Sequence, residues 1–380
     1  MSPRGGAALP TTRRSRRSTS AAADDDGAFF SGYLVHSISR NRHHSTFVSI
    51  IHPSSPITIS LDFLPSSTSP TASIQIDAVS PHRGLLLCST AAADVSYYVC
   101  KSATRQWRAI PNPRTRYRTA AAAILARPAV AGAAAAGEEF KIVRLSIPKL
   151  RDCLRCEVFD SRRNAWRRRS DVAVRPESMV ETTSPPVRAH GAVMHWLRWP
   201  DHRGGEEDIF AFDMGNDTWR LIALPAEAVE KEKSWTAARK KLTAVEGKLC
   251  LVVAGDDDEV EIWVLVDYSR QKWEKKMTAS LTRLAMEEGN SLILRDLYTS
   301  HIAIFSGVYT VLWYDFVRGI KIAEAPVRHN KCIQNVFKFE SDFVPCEEIE
   351  RRPDGSISKL HSPSKRDCQH SKDDVDKLNN

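Results

Sequence analysis

No stretch of this chain runs through the roughly 18 apolar residues that a membrane-spanning helix needs. The alanine-rich run from Thr119 to Ala136 comes nearest, and Arg127 and Pro128 interrupt it. A membrane span is therefore not expected. Catalytic text is equally scarce: there is no G-x-S-x-G elbow, no P-loop, no dinucleotide-binding glycine motif and no H-E-x-x-H. No apolar signal segment opens the sequence, so neither a disulfide framework nor use of the Asn216-Asp217-Thr218 glycosylation pattern is expected. Acid is missing from the first 23 residues, where Arg4, Arg13, Arg14, Arg16 and Arg17 all fall. Those arginines supply +5 of the net +8, so the charge is mostly a property of the tail.

What is present suits a folded protein. The 380 residues are 42% hydrophobic and 26% charged, enough for two domains or one large repeat domain. Residues 1–28 read as a disordered basic leader, and 346–380 as a disordered charged tail, because neither has an apolar period. The folded body is expected over 29–345. The eight cysteines include several inside apolar runs (LLLC, YYVC, KLCLVV), where a reduced Cys acts as a small buried hydrophobe. Cytoplasm or nucleus is the expected location, with organelle transit as the alternative that the leader's composition offers.

Short apolar runs bounded by turn residues fill the body, which is the pattern of an all-β chain. One unit recurs. An apolar strand ends in a small polar residue, a polar turn follows, and a tryptophan starts the return strand. The pairs Asp160 and Trp166, Asp213 and Trp219, and Asp267 and Trp273 are each six residues apart. Cys100 and Trp107 form a looser copy, and Leu312-Trp313-Tyr314-Asp315 opens another with Ile320 and Ile322 in place of the tryptophan. The tryptophans lie 59, 53 and 54 residues apart. Asp at the strand end can bond its own backbone two residues on and start the turn. The tryptophan then offers a large apolar surface to a neighbouring sheet, so Trp107, Trp166, Trp219, Trp273, Asp160, Asp213 and Asp267 are expected to be structural repeat residues.

A glycine-led strand precedes most copies: GLLLC from Gly84, GAVMHW from Gly191 and GKLCLVV from Gly247. With a further strand such as Phe140–Val143, each unit holds about four strands. Repeats of roughly 50 residues with four strands each predict a β-propeller-like array of about six four-stranded blades.

Other candidates for chemistry are weak. Cys153-x-x-Cys156 has no second pair at zinc spacing, and His43-His44, read as a solvated loop, has no partner cluster. The run Asp256-Asp257-Asp258-Glu259 lacks the spacing of a calcium loop and reads as a hairpin tip. The segment Ala226–Leu242 has helical composition and is expected as a short helix or a long connection between blades. The least ordinary feature is the basic patch of Arg162, Arg163, Arg167, Arg168 and Arg169 around Trp166. It could stack on bases and neutralise phosphates, or meet an acidic protein partner.

These lines resemble, in order, the F-box-associated domains of plants. YYVCKSATRQWRAIPNP matches the strand and turn that open that family's pattern, with Lys101-Ser102 standing for its usual Asn-Pro. GLLLC, FKIVRL, CEVFDSRRNAWRRR, HGAVMHWL, IFAFDMGNDTWRLIALP, GKLCLVV and EIWVLVDYSRQKWEK match the other lines across approximately residues 29–340. The resemblance implies a kelch-like β-propeller that recruits substrates to ubiquitin ligases by binding alone, with no enzyme activity and no cofactor. Family members carry a helical F-box before the first strand, and residues 1–28 are too short and too polar for one. The substrate-recruiting half of the pattern is therefore supported, and the half that docks the cullin-RING adaptor is not. Protein partners are expected, and the sequence names none. The alternatives are a kelch-type propeller enzyme or sugar-binding protein, which needs titratable residues converging on the axis, and nucleic-acid binding through the arginines.

Overall fold

In a computed structural model the described residues run from Phe30 to Ile349, leaving out short stretches of which the longest are 66–72, 128–138 and 231–239. The sequence-predicted leader over 1–28 and most of the tail lie outside them.

The strands form six antiparallel sheets arranged as the blades of a closed ring. Blade 1 joins the two ends of the domain. Its β1 (Phe30–Ser39), β2 (Arg42–Ser49) and β3 (Ile57–Ile59) are preceded in the sheet by β26 (Cys332–Ser341). Blade 2 holds β4 (Ile74–Val79), β5 (Leu85–Thr90), β6 (Tyr97–Lys101) and β7 (Gln106–Ile110). Blade 3 holds β8 (Arg118–Arg127), β9 (Glu139–Ile147), β10 (Cys153–Asp160) and β11 (Ala165–Arg168), with the short β12 (Val172–Ala173) also on β10. In blade 4 the innermost position is shared by β13 (Ser178–Val180) and β14 (Val187–Ala189), ahead of β15 (Val193–Pro200), β16 (Asp208–Asp213) and β17 (Thr218–Ala223). Blade 5 holds β18 (Lys240–Val245), β19 (Lys248–Ala254), β20 (Glu259–Asp267) and β21 (Lys272–Ser280). Blade 6 holds β22 (Ile293–Leu297), β23 (Ile302–Ser306), β24 (Thr310–Asp315) and β25 (Ile320–Pro326). Helices α1 (Ala226–Glu230) and α2 (Thr282–Glu288) lie in the connections on either side of blade 5.

Side-chain alternation explains the ring. In β5 all six residues are buried, because the sheet is covered on both faces. Leu85 and Leu87 pack with Ile124, Phe140 and Ile142 of blade 3. Leu86 and Cys88, one step out of phase, pack with Leu34, Phe47 and Phe339 of blade 1. The same period divides β19: Leu249, Leu251 and Val253 face blade 4, and Cys250 and Val252 face blade 6. Each such leucine contributes about 1.5–3 kcal/mol by leaving water. The gap between blades 6 and 1 is filled by Tyr33, Val35, Ile304, Trp313 and Val336, so the ring closes through apolar packing as well as through β26.

The glycine-led strands are each entered through a tight reversal. Glu246 and Gly247 both have positive φ (52° and 75°), between the paired residues Val245 and Lys248. This is the two-residue hairpin geometry that follows strand twist. At Gly84 (φ 64°) a Cβ would also strike Ser341, the last residue of the closing strand, so packing as well as backbone requires glycine there.

Several expectations need adjusting. Of the segment read as a short helix or long connection, α1 covers Ala226–Glu230, residues 231–239 lie outside the described residues, and Lys240–Leu242 form the start of β18, where pairing to β19 overrides local propensity. His43 and His44 sit on strand β2, not in a loop, with His43 Nδ1 2.9 Å from His36 Nε2. Packing also continues past residue 345. Cys346 and Ile349 are fully buried in the layer between blades 2 and 3, and Gln106 bonds the Cys346 amide and the Cys346 and Ile349 carbonyls. Within the Asp256–Glu259 run, Asp256 and Asp257 lie outside the described residues; Gly255 N–H bonds Glu259 C=O across the hairpin.

Candidate interaction surfaces and the axial cavity

The recurring Asp and Trp residues occupy one place in the blades that carry them, the turn between the third and fourth strands, with Asp in blades 3 to 6 and Trp in blades 2 to 5. Asp213 Oδ1 accepts from the Gly215 and Asn216 amides, Asp267 Oδ1 from Ser269 and Arg270, and Asp315 Oδ1 from Val317 and Arg318. Asp160 Oδ1 accepts from Arg162 N–H at 3.0 Å. Each tryptophan then reaches back to the preceding blade. Trp166 Nε1 donates to Pro111 C=O at 2.6 Å, Trp219 to Ser170 Oγ at 3.3 Å and Trp273 to Ala223 C=O at 2.9 Å. Trp107 lies against Tyr98, ring centroids 5.8 Å apart, in the layer between blades 1 and 2. The fifth gap has no such tryptophan; Leu284 of α2 and Phe316 occupy it.

The arginine patch is largely paired. Arg162 meets Glu139, Arg168 meets Asp171 and Arg169 meets Asp217. Arg163 and Arg167 are exposed and have no carboxylate partner among the described residues. Two unpaired surface cations make a much weaker phosphate-binding face than five would.

Cys153-x-x-Cys156, a lone pair in the sequence with no second pair at zinc spacing, lies at the start of β10. Cys153 is half-buried, whereas Cys156 is buried, and its thiol is pushed up to about 12 by burial, which disfavours the thiolate that a metal needs. Among the described residues no group of three or more His, Cys, Asp or Glu is placed to hold a metal ion.

What sequence reasoning missed lies on the axis. The innermost strands of neighbouring blades touch one another around a cavity of about 450 Å³. Its wall carries Arg188, Lys241, Arg295 and Lys338, opposed by Asp296 and Glu246. His82, His190 and Glu246, in turns between first and second strands, also line it, so the cavity reaches that face of the ring. His190 stacks on Tyr268 with centroids 4.2 Å apart, and its pKa is lowered first by burial and then by Arg220 and Lys248. Asp296 accepts from Tyr33 Oη at 3.0 Å and from Thr243 Oγ1, and burial raises its pKa. Tyr33 and Thr243 belong to blades 1 and 5, so one carboxylate ties three blades. A second buried acid, Asp77 on β4, is pushed up to about 7 by burial, and its Oδ2 has no hydrogen-bond partner. The axial set had a legible signal. The residues immediately before each glycine-led strand must be the innermost strand and its turn, with Arg188 on β14 and His190 and Glu246 in the turns that follow β14 and β18.

A different surface lies on blade 6. Ten large apolar side chains are exposed among the described residues, and seven of them (Met286, Ile293, Tyr298, Val308, Tyr309, Val317 and Ile322) belong to α2 and blade 6. Ile293, Val308 and Tyr309 share one end of the blade: Ile293 pairs with Ser306, next to the 307–309 turn.

The architecture defines a six-bladed β-propeller closed by its terminal strands, with short turns on one face and longer connections on the other. The chain belongs to the F-box associated beta propeller domain family, whose pattern matches residues 33–307. It is similar to F-box protein At5g41720 of Arabidopsis thaliana, 37% identical over 107 residues, covering 25% of this chain and 53% of that protein. F-box protein At5g49610 of the same plant is 30% identical over 210 residues, covering 52% of this chain and 54% of that protein. The chain thus spans about half the length of these curated relatives. Among solved structures, a chain of a nidogen/laminin complex aligns over 80% of this chain and 97% of its own, with 11% identity and a TM-score of 0.47. No helix among the described residues is long and apolar enough to cross a membrane.

Proposed function

We propose that this propeller is a non-catalytic recognition domain that holds a protein partner for ubiquitin-dependent turnover, in the cytoplasm or nucleus. The family supports the class of role. The observation that carries the reading on this chain is the concentration of exposed apolar side chains on blade 6. Scattered surface hydrophobes are ordinary, but seven of the ten exposed ones among the described residues belong to blade 6 and the helix α2 beside it, with Ile293, Val308 and Tyr309 together at one end of the blade, a concentration of the kind that marks protein contact. A rigid ring holding them on turns and edge positions is suited to binding without chemistry. The few unpaired arginines make nucleic acid the weaker reading.

The test is capture of proteins from plant extract on the immobilised full chain, compared with a Val308→Ser/Tyr309→Ser variant of unchanged circular dichroism. Loss of most specifically retained proteins is expected, since aromatic anchors often carry about 2 kcal/mol or more of binding energy. An unchanged capture profile refutes blade 6 as the recognition surface. Retention of the small cullin-RING adaptor in the same experiment decides the ligase connection separately.

A further inference from the structure

We infer that Ser170 is a phosphoacceptor site for an arginine-directed serine kinase, a function that does not rest on the partner surface of blade 6. The sequence supplies the first reason. Arg167-Arg168-Arg169-Ser170 places a guanidinium three, two and one residues before a hydroxyl. A kinase that selects substrates by charge does so with carboxylates along its groove, and a guanidinium pairs with them through two parallel bonds. The spacing alone selects nothing. Ser45 follows Arg42 by three residues and is buried in β2. Thr119 follows Arg116 by three and is half-buried in β8, its Oγ1 accepting from Arg144 Nε at 2.8 Å.

Exposure is the second reason. Ser170 is exposed, and Arg169, Ser170 and Asp171 belong to no strand, lying between β11 and β12. β11 is the outer edge of blade 3, and its Arg167 and Arg168 are both exposed. An edge strand and the coil that follows it present an extended segment to another protein without unfolding the ring.

The third reason is how the neighbouring charges are disposed. Asp171, directly after the acceptor, is engaged by Arg168 Nη2 at 2.5 Å and by Arg155 Nε at 3.6 Å, so its charge is offset. Arg169 is held by Asp217 of blade 4. Arg167 carries no such pairing and is the cation left for a kinase to read. The Ser170 hydroxyl itself acts as an acceptor, taking the Trp219 Nε1 proton at 3.3 Å. That bond occupies a lone pair and leaves the O–H to react. Phosphate oxygens accept more strongly, so the contact to blade 4 survives modification. In the transfer, Ser170 Oγ bonds the γ-phosphorus of ATP as the bond from that phosphorus to the bridging oxygen breaks. ADP leaves, and the hydroxyl proton passes to the kinase's carboxylate base. The product brings a charge of about −2 to the arginine patch.

The experiment is incubation of the folded full chain with ATP and the catalytic subunit of cyclic-AMP-dependent protein kinase. Ser15 and Ser18 also follow arginines, so phosphate is placed by mass spectrometry of fragments cut at Asp and Glu. Phosphate at Ser170 is expected in the wild type and absent from that fragment in Ser170→Ala. Arg167→Gln lowers the initial rate at Ser170 about tenfold, through loss of one charge-assisted pair. Both positions are exposed, and unchanged circular dichroism confirms that the variants fold. An unmodified Ser170 while the leader serines are phosphorylated overturns the inference. So does a Ser170 modified only after unfolding in urea, or a rate indifferent to Arg167→Gln. An unchanged rate at Ser170 in Val308→Ser/Tyr309→Ser is the result expected of a site independent of the partner surface.

Discussion

Lys101 stands where blades 3 to 6 place Asp160, Asp213, Asp267 and Asp315, at the end of a third strand. Its side chain is fully buried, and its ammonium meets Asp342, just beyond the closing strand; Arg83 reaches the same carboxylate at 3.2 Å. The closing strand is thus tied to blade 2 as well as to β1, and the chain beyond it continues into the layer that buries Cys346 and Ile349. Asp342→Asn removes the negative charge while keeping the shape. A buried cation then loses its counter-charge, a change that typically costs about 3–5 kcal/mol. Asp342 is 15% exposed, so the lower end applies, about 3 kcal/mol. For a domain of this size that lowers Tm by about 5 °C. The double variant Lys101→Met/Asp342→Asn replaces the pair by an apolar chain of similar volume and is expected to recover most of the loss, since removing both charges removes the desolvation penalty too. Thermal unfolding followed by circular dichroism, with wild type, both singles and the double, closes the cycle. An Asp342→Asn shift below 1 °C, or a double variant no better than the single, refutes the account of a buried charge held by the closing strand.

Trp166 is the most buried of the repeat tryptophans, so Trp166→Ala is expected to cost about 3–5 kcal/mol in urea denaturation, against a smaller loss for the half-exposed Trp273→Ala; equal costs would remove burial as the cause. Burial holds His195, bonded to Val187 C=O and Tyr268 Oη, at about 4 against its usual 6.5. Below pH 6.5 the unfolded chain therefore takes up a proton that the folded chain refuses. Stability falls by about 3 kcal/mol between pH 6.5 and 4 through this residue and is unaffected above that window. His195→Gln flattens that limb of the stability curve, and an unchanged slope would contradict the assignment.

The sequence by itself determined the strands, the repeat and the family. Asp-to-Trp spacing is a local property, because the carboxylate bonds amides two and three residues on and the tryptophan begins the next strand. Two-fold alternation could show that the strands are covered on both faces, but not which neighbour covers which. Tertiary structure decided that Leu85 faces blade 3 while Leu86 faces blade 1, and that β26 completes blade 1, because ring closure joins residues some 300 positions apart. It also decided the fate of the charges. The patch around Trp166 looked like the strongest site, yet Glu139, Asp171 and Asp217 neutralise most of it from other segments. Arg188, Arg295 and Lys338 looked ordinary, being separated by over a hundred residues in sequence at the extremes. Only the convergence of innermost strands sets them around one cavity, since a side chain's electrostatic surroundings are fixed by distance in space and not along the chain.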